Sequence, residues 1–146
     1  QMEDSIMAIQ KDPMQAAKMP SLTNIELINR LLAYYHAFPK DKYASECLFK
    51  VHIKYSDLQA YEQSVAYGDT LIQLFPNYAN KDFLLESLAS TYDVLIEPRD
   101  PEKVQYYYEL LLKEKIKATK RKDIENRLKH IDMDFFEYSQ FQMGAK

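Results

Sequence analysis

The side chains of this chain that could do chemistry are three histidines, one cysteine, scattered carboxylates and one lysine-rich stretch. His36, His52 and His130 fall in separate segments. Neither a His-Glu-x-x-His pattern nor a pair one helical turn apart places two imidazoles on one face for a metal. His52 is expected at a helix–helix contact, as a packed, hydrogen-bonded imidazole. Cys47 excludes an internal disulfide and any multi-cysteine metal site. It is expected half-buried, with nothing cationic beside it in sequence to stabilise a thiolate. Asp132 and Asp134 resemble a cation loop only superficially, because such a loop needs about six oxygen ligands and a glycine at its turn. Gly-x-Ser-x-Gly, P-loop and dinucleotide fingerprints are absent. No metal, cofactor or catalytic residue is assigned, and a non-enzymatic role is expected.

Lys113, Lys115, Lys117, Lys120, Arg121, Lys122, Arg127 and Lys129 form the one charge cluster, diluted by Glu114, Asp123 and Glu125. A solvated helix face or linker is the plain reading. Docking on an acidic partner, anionic lipid or RNA is the alternative. Tyr106-Tyr107-Tyr108 invites a stacking role, yet helical spacing makes Tyr107 and Tyr108 core and Tyr106 exposed.

The elements that must position these residues follow from composition and periodicity. With 28% charged and 47% hydrophobic residues, 146 positions suit one folded domain with a real core. Only Gly68 and Gly144 could supply positive φ at no steric cost, which disfavours β-rich and nucleotide-binding folds. A net charge of −3 gives no reason to invoke nucleic acid for the whole molecule. No stretch approaches the roughly 20 apolar residues of a membrane span. The chain begins at Gln1, so a processed or trimmed fragment is expected, with room upstream for an export signal, and membrane attachment is expected only through a lipid anchor there.

Met2, Met7, Met14 and Met19, broken by Pro13 and Pro20, suggest one or two short helical turns, with Asp12-Pro13 capping one of them. Thr23-Asn24-Ile25-Glu26 reads as a capping box with a Leu22–Leu27 staple, predicting a helix from Asn24 to Ala37. Ala44, Cys47, Leu48, Val51 and Tyr55 then share one helical face. Tyr61, Ser64, Val65, Gly68, Leu71, Ile72 and Phe75 share another, ending at Pro76. Leu85, Leu88, Ala89, Tyr92 and Ile96 follow. Asp100-Pro101-Glu102 reads as N-cap, first-turn proline and dipole-complementing acid. Val104, Tyr107, Tyr108, Leu111 and Leu112 form the fifth face, and Ile124, Leu128 and Ile131 the last. The expected fold class is all-α.

Self-similarity adds more than any single motif. Phe38-Pro39 recurs as Phe75-Pro76, a shift of 37 residues that also carries Leu48 to Leu85, Val51 to Leu88, His52 to Ala89 and Tyr55 to Tyr92. Ser64, Gly68, Leu71 and Ile72 map to Val104, Tyr108, Leu111 and Leu112 with a shift of 40, the three added residues falling near Glu97–Arg99. Leu48-x2-Val51-His52-x2-Tyr55, Ser64-x3-Gly68 and Pro76 resemble one copy of the tetratricopeptide repeat. Leu85-x2-Leu88-Ala89-x2-Tyr92 with Val104-x3-Tyr108 resembles a second, and Leu27-x3-Leu31 with Pro39 resembles half of another. His52, Gly68 and Ile116 depart from the repeat, where a small residue, an aromatic and a proline are usual.

That resemblance implies antiparallel helical hairpins stacked as a short right-handed solenoid. It divides the chain into an N-terminal segment (1–22), repeats (23–116) and a capping helix with an aromatic tail (117–146). It also implies binding of a peptide or protein partner. The linkers FPKDKYASECLFK and FPNYANKDFLLES are similar to junctions in bacterial cell-envelope repeat proteins, lipoproteins among them, and imply a periplasmic or outer-membrane-associated setting, with a cytoplasmic one as the alternative. In such stacks the first helices line a concave groove. Its off-core candidates are Glu46, Phe49, Lys50 and Ile53 in one copy and Phe83, Glu86 and Ser90 in the next. Phe49, Ile53 and Phe83 are apolar where solvent is the default. Either a partner covers them, or Met14, Met19 and the N-terminal segment fold back over them. The tail Phe135–Phe141 either caps the last repeat or supports a homo-oligomer contact.

Overall fold

A computed structural model of the chain describes residues 20–144, and among these residues the secondary structure is helical throughout, as periodicity predicts. Two compact units divide the chain, Gln1–Tyr78 and Ala79–Lys146. The N-terminal turns and the fold-back of Met14 and Met19 lie outside the described residues.

In the first unit, α1 (Pro20–Ala37) packs on α2 (Lys42–Asp57), which packs on α3 (Tyr61–Leu74). Leu27, Ile28, Leu31, Cys47 and Val51 form the core, with Tyr34, Tyr35, Tyr43 and Tyr67 packed around it. The helix begins earlier than the Thr23 capping box would have it. Pro20 stands at its first position, where the missing N–H is no loss. Thr23 is therefore a buried helical residue, and its hydroxyl has no hydrogen-bond partner among the described residues. Leu22 is exposed while Leu27 is core, so no staple forms.

The turn from α2 to α3 is tight. Ala60 N–H donates to Tyr55 O at 2.9 Å and Gln59 N–H to Ser56 O at 2.9 Å, the wrapped pattern in which one residue past the helix turns left-handed. That residue is Gln59, with φ of 60°. A side chain there costs about 1–2 kcal/mol, of which glycine returns about 0.4–1 through its looser unfolded chain. Gln59→Gly should thus raise the urea midpoint of the first unit modestly at an unchanged slope. A lowered midpoint would show that the Gln59 side chain contributes packing that outweighs the strain.

In the second unit, α4 (Lys81–Val94) packs on α5 (Pro101–Leu112), and α5 on α6 (Ala118–Lys129); α7 (Phe135–Gly144) follows. Asp100 caps α5, accepting from Lys103 N–H at 3.3 Å beside Pro101, as the local sequence predicts. Ile96 lies just past the end of α4 and is half-buried. A reciprocal capping box stands at α7: Glu137 N–H donates to Asp134 Oδ1 at 2.8 Å, and Asp134 N–H to Glu137 Oε1 at 3.1 Å.

The internal repeat has a three-dimensional signature. Tyr55 stacks on Tyr67 in the first unit with ring centroids 5.7 Å apart and planes 12° apart. Tyr92 stacks on Tyr107 in the second at 5.8 Å and 8°. The shifts of 37 and 40 residues carry the first pair onto the second.

Candidate functional site

Two of the reactive side chains of the first unit, Cys47 and His52, are locked away, whereas His36 is exposed. Cys47 is fully buried, not half-buried, because α1 and α2 close over it with Leu31 and Val51. His52 is fully buried too, in the packed state expected of it. Its Nδ1 lies 2.7 Å from Ser64 O, and since a carbonyl can only accept, Nδ1 carries the proton. Ser64 Oγ donates back to His52 O at 2.8 Å, so two helices exchange a pair of polar bonds inside the core.

Burial lowers the His52 pKa from 6.5, against smaller opposing effects of the Ser64 carbonyl and the Asp69 carboxylate. The folded unit therefore holds His52 neutral while the unfolded chain takes a proton below about pH 6.5. Stability is full above that pH and falls on acidification, by at most about 1.4 kcal/mol per pH unit. Urea midpoints between about pH 7 and 5 should fall in the native chain and fall less in His52→Asn. Parallel pH profiles would show that His52 is not the titrating group.

The groove candidates separate by unit. On α2, Glu46 accepts from the Tyr78 hydroxyl at 2.7 Å, and the Phe49 ring lies 5.5 Å from the Tyr78 ring. Lys50 Nζ donates to the Tyr43 hydroxyl at 3.4 Å, and Ile53 is half-buried. Three of the four are thus engaged within their own unit. On α4, Phe83 is 56% exposed, and Glu86 and Ser90 line a cleft of about 520 Å³. Tyr108 and Leu111 of α5, Ile124 of α6, and Phe135, Tyr138 and Gln142 of α7 complete its walls. Lys120 Nζ reaches Glu86 Oε2 at 2.6 Å across it. The Tyr108 pKa is raised, first by burial and then by the nearby Asp93 carboxylate, with the Ser90 hydrogen bond acting the other way. Tyr108 is therefore a neutral hydroxyl in the cleft lining, able to donate or accept.

The cleft is braced by a buried ionic knot. Arg127 grips Asp93 with two bonds, Nε to Oδ2 at 2.8 Å and Nη2 to Oδ1 at 2.7 Å. Arg99 Nε adds a third to Oδ1 at 3.0 Å. The same guanidiniums tie down the turn before α7, Arg127 through His130 O and Met133 O and Arg99 through Ile131 O. Tyr138 of α7 then lies over the Arg127 guanidinium, 4.6 Å from ring centroid to Cζ.

This corrects the reading of the basic cluster as one solvated face. Arg127 is buried, Arg121 closes the end of α5 by donating to Leu112 O and Glu114 O, and Lys120 is engaged with Glu86. Lys113, Lys115, Lys117, Lys122 and Lys129 remain exposed. Of the tyrosine triplet, Tyr107 is core and Tyr106 exposed as spacing predicts, while Tyr108 is only half-buried because it faces the cleft.

Asp93 was the residue missed on α4. A signal existed, since Glu86, Ser90 and Asp93 stand at helical i, i+4, i+7 spacing on one face. Of its two partners Arg99 is six residues on, but nothing local marks Arg127, 34 residues on. Among the described residues no three His, Cys, Asp or Glu side chains converge as a metal site, and no helix is long and apolar enough to cross a membrane.

Comparison with known proteins found no matching family model, no matching curated protein and no matching solved structure.

Proposed function

We propose that the chain is a non-enzymatic protein-interaction module of the tetratricopeptide type, which holds a peptide segment of a partner in the cleft of its second unit. The cleft carries this reading: it joins two groove residues, Glu86 and Ser90, to apolar walls and a few convergent polar groups, the composition of a recognition site. The matched tyrosine stacks support tandem hairpins of one type. Burial of Cys47 and His52 supports a non-catalytic role, because neither side chain can meet a substrate. The two Phe-Pro linkers favour a bacterial envelope setting. Signal-dependent export of the full-length protein would bear that out, and cytosolic retention would overturn it.

Ser90 is exposed and at the cleft wall, so Ser90→Arg should fill the cleft and cost folding little more than the Tyr108 hydrogen bond, about 1 kcal/mol. Selection of a random-peptide display library on the chain should enrich a consensus, and Ser90→Arg should weaken its binding by at least about tenfold. Enrichment that ignores Ser90→Arg, with helicity unchanged, would place recognition elsewhere. Self-association is the second reading, favoured by Phe136 and Met143, which are 72% and 69% exposed on α7. A monomeric mass by light scattering at high concentration would remove it.

A further inference from the structure

A second cavity, of about 500 Å³, opens within the second unit, and Phe135 lines both it and the cleft. Its apolar walls are Val94 at the end of α4 and Phe135 and Phe136 at the start of α7. These side chains are 47%, 44% and 72% exposed, and large apolar groups left to water around a cavity mark a contact surface. Glu97, in the connection from α4 to α5, and Asp134, in the turn before α7, stand exposed at the rim.

Neither carboxylate is in an ion pair with a lysine or arginine among the described residues. Arg99, which also lines the slot, is committed to Asp93 and to Ile131 O. Asp93 between Arg99 and Arg127 leaves one net positive charge, spread over side chains that are 12% and 4% exposed. The two exposed carboxylates outweigh it, and exposed Asp132 and Glu137 lie close by in sequence. The slot is therefore aromatic-walled and negative at its mouth.

We propose that this slot receives a lysine or arginine side chain of the partner segment, its stem against Phe135 and Phe136 and its charged head toward Glu97 and Asp134. Arginine fits better than lysine, because a planar guanidinium stacks on a ring and still offers donors to carboxylates in its plane. The inference rests on reading the second unit as a peptide-binding surface, and it adds a residue preference: a basic residue beside the segment that enters the cleft.

The test is a ¹⁵N NMR titration of the full chain with the peptide acetyl-Leu-Arg-Leu-amide, and with its glutamate counterpart. Amide shifts are expected at Val94, Glu97, Phe136 and Ser139, with the glutamate peptide at least about tenfold weaker. Glu97→Gln combined with Phe136→Ala should cost the arginine peptide about tenfold, and added salt should weaken it further. Both positions are exposed, so an otherwise unchanged spectrum certifies the fold of that variant. Equal affinity for the two peptides, or no loss in the double variant, overturns the slot. Shifts confined to Ser90, Tyr108 and Lys120 overturn the slot while leaving the cleft reading intact. Absence of shifts overturns the slot, and the cleft then stands or falls on the library selection.

Discussion

Asp93→Asn should destabilise the second unit by about 3–5 kcal/mol, the cost of leaving a buried guanidinium without its counter-charge. Asp93 has no exposed side-chain surface and Arg127 almost none, so water cannot replace the lost carboxylate. Asparagine keeps the shape and can still accept a hydrogen bond, but it cannot neutralise either arginine. Such a loss is a large share of the roughly 5–15 kcal/mol that holds a domain together. It should also be local. Amide exchange should accelerate in α4, α6 and α7, whose ends meet at the knot, while α2 and α3 keep their protection. Glu86→Gln is the matched control. Its pair with Lys120 is equally short but nearly half exposed, and exposed pairs contribute about 0–1 kcal/mol. A comparable loss in both variants would mean that burial is not what gives the Asp93 pair its weight.

Tyr107→Ala should cost about 3–5 kcal/mol, the range for emptying a buried aromatic site. Tyr107 is the largest fully buried side chain of the described residues, and its ring stacks on Tyr92. The chain contains its own comparison. Tyr67 occupies the corresponding place in the first unit with nearly the same stacking geometry, yet it is only partly buried. If ring stacking dominated, the two substitutions would cost alike, within the roughly 0.5–1.5 kcal/mol that such pairs add. If burial dominates, Tyr67→Ala is the milder by a wide margin. Denaturant unfolding of both variants decides between them, and a Tyr67→Ala loss equal to that of Tyr107→Ala would favour stacking.

Much of the fold was legible because it is local. The faces of α2 to α5 follow from apolar spacing, and Asp100-Pro101 announced its cap within three residues. The 37-residue shift placed Tyr92 at the position of Tyr55. Where the reading failed, the deciding contact was distant or the signal was shared. Thr23-x-x-Glu26 and Asp134-x-x-Glu137 are both capping-box patterns, but Pro20 starts α1 a turn earlier and only the second pattern stands at a helix end. Arg127 looked like one more cation in a basic run, because its burial depends on an aspartate 34 residues away. The candidate site was half legible. Glu86 and Ser90 follow from the geometry of stacked hairpins, whereas Phe135, Tyr138 and Gln142 come from α7, whose preceding turn is tied down by the distant ionic knot.

The His52–Ser64 exchange has a consequence for assembly. Hairpins cut from one pattern can pair with the wrong partner while the chain folds, a characteristic failure of repeat proteins. In the second hairpin the corresponding positions are Ala89 and Val104, both buried and without polar side-chain atoms. Setting α2 against α5 would bury the His52 imidazole opposite a valine, and setting α4 against α3 would leave the Ser64 hydroxyl opposite an alanine. Each mismatch strands a buried polar group, at about 1–3 kcal/mol. One histidine and one serine thus act as an address, making two look-alike hairpins non-interchangeable.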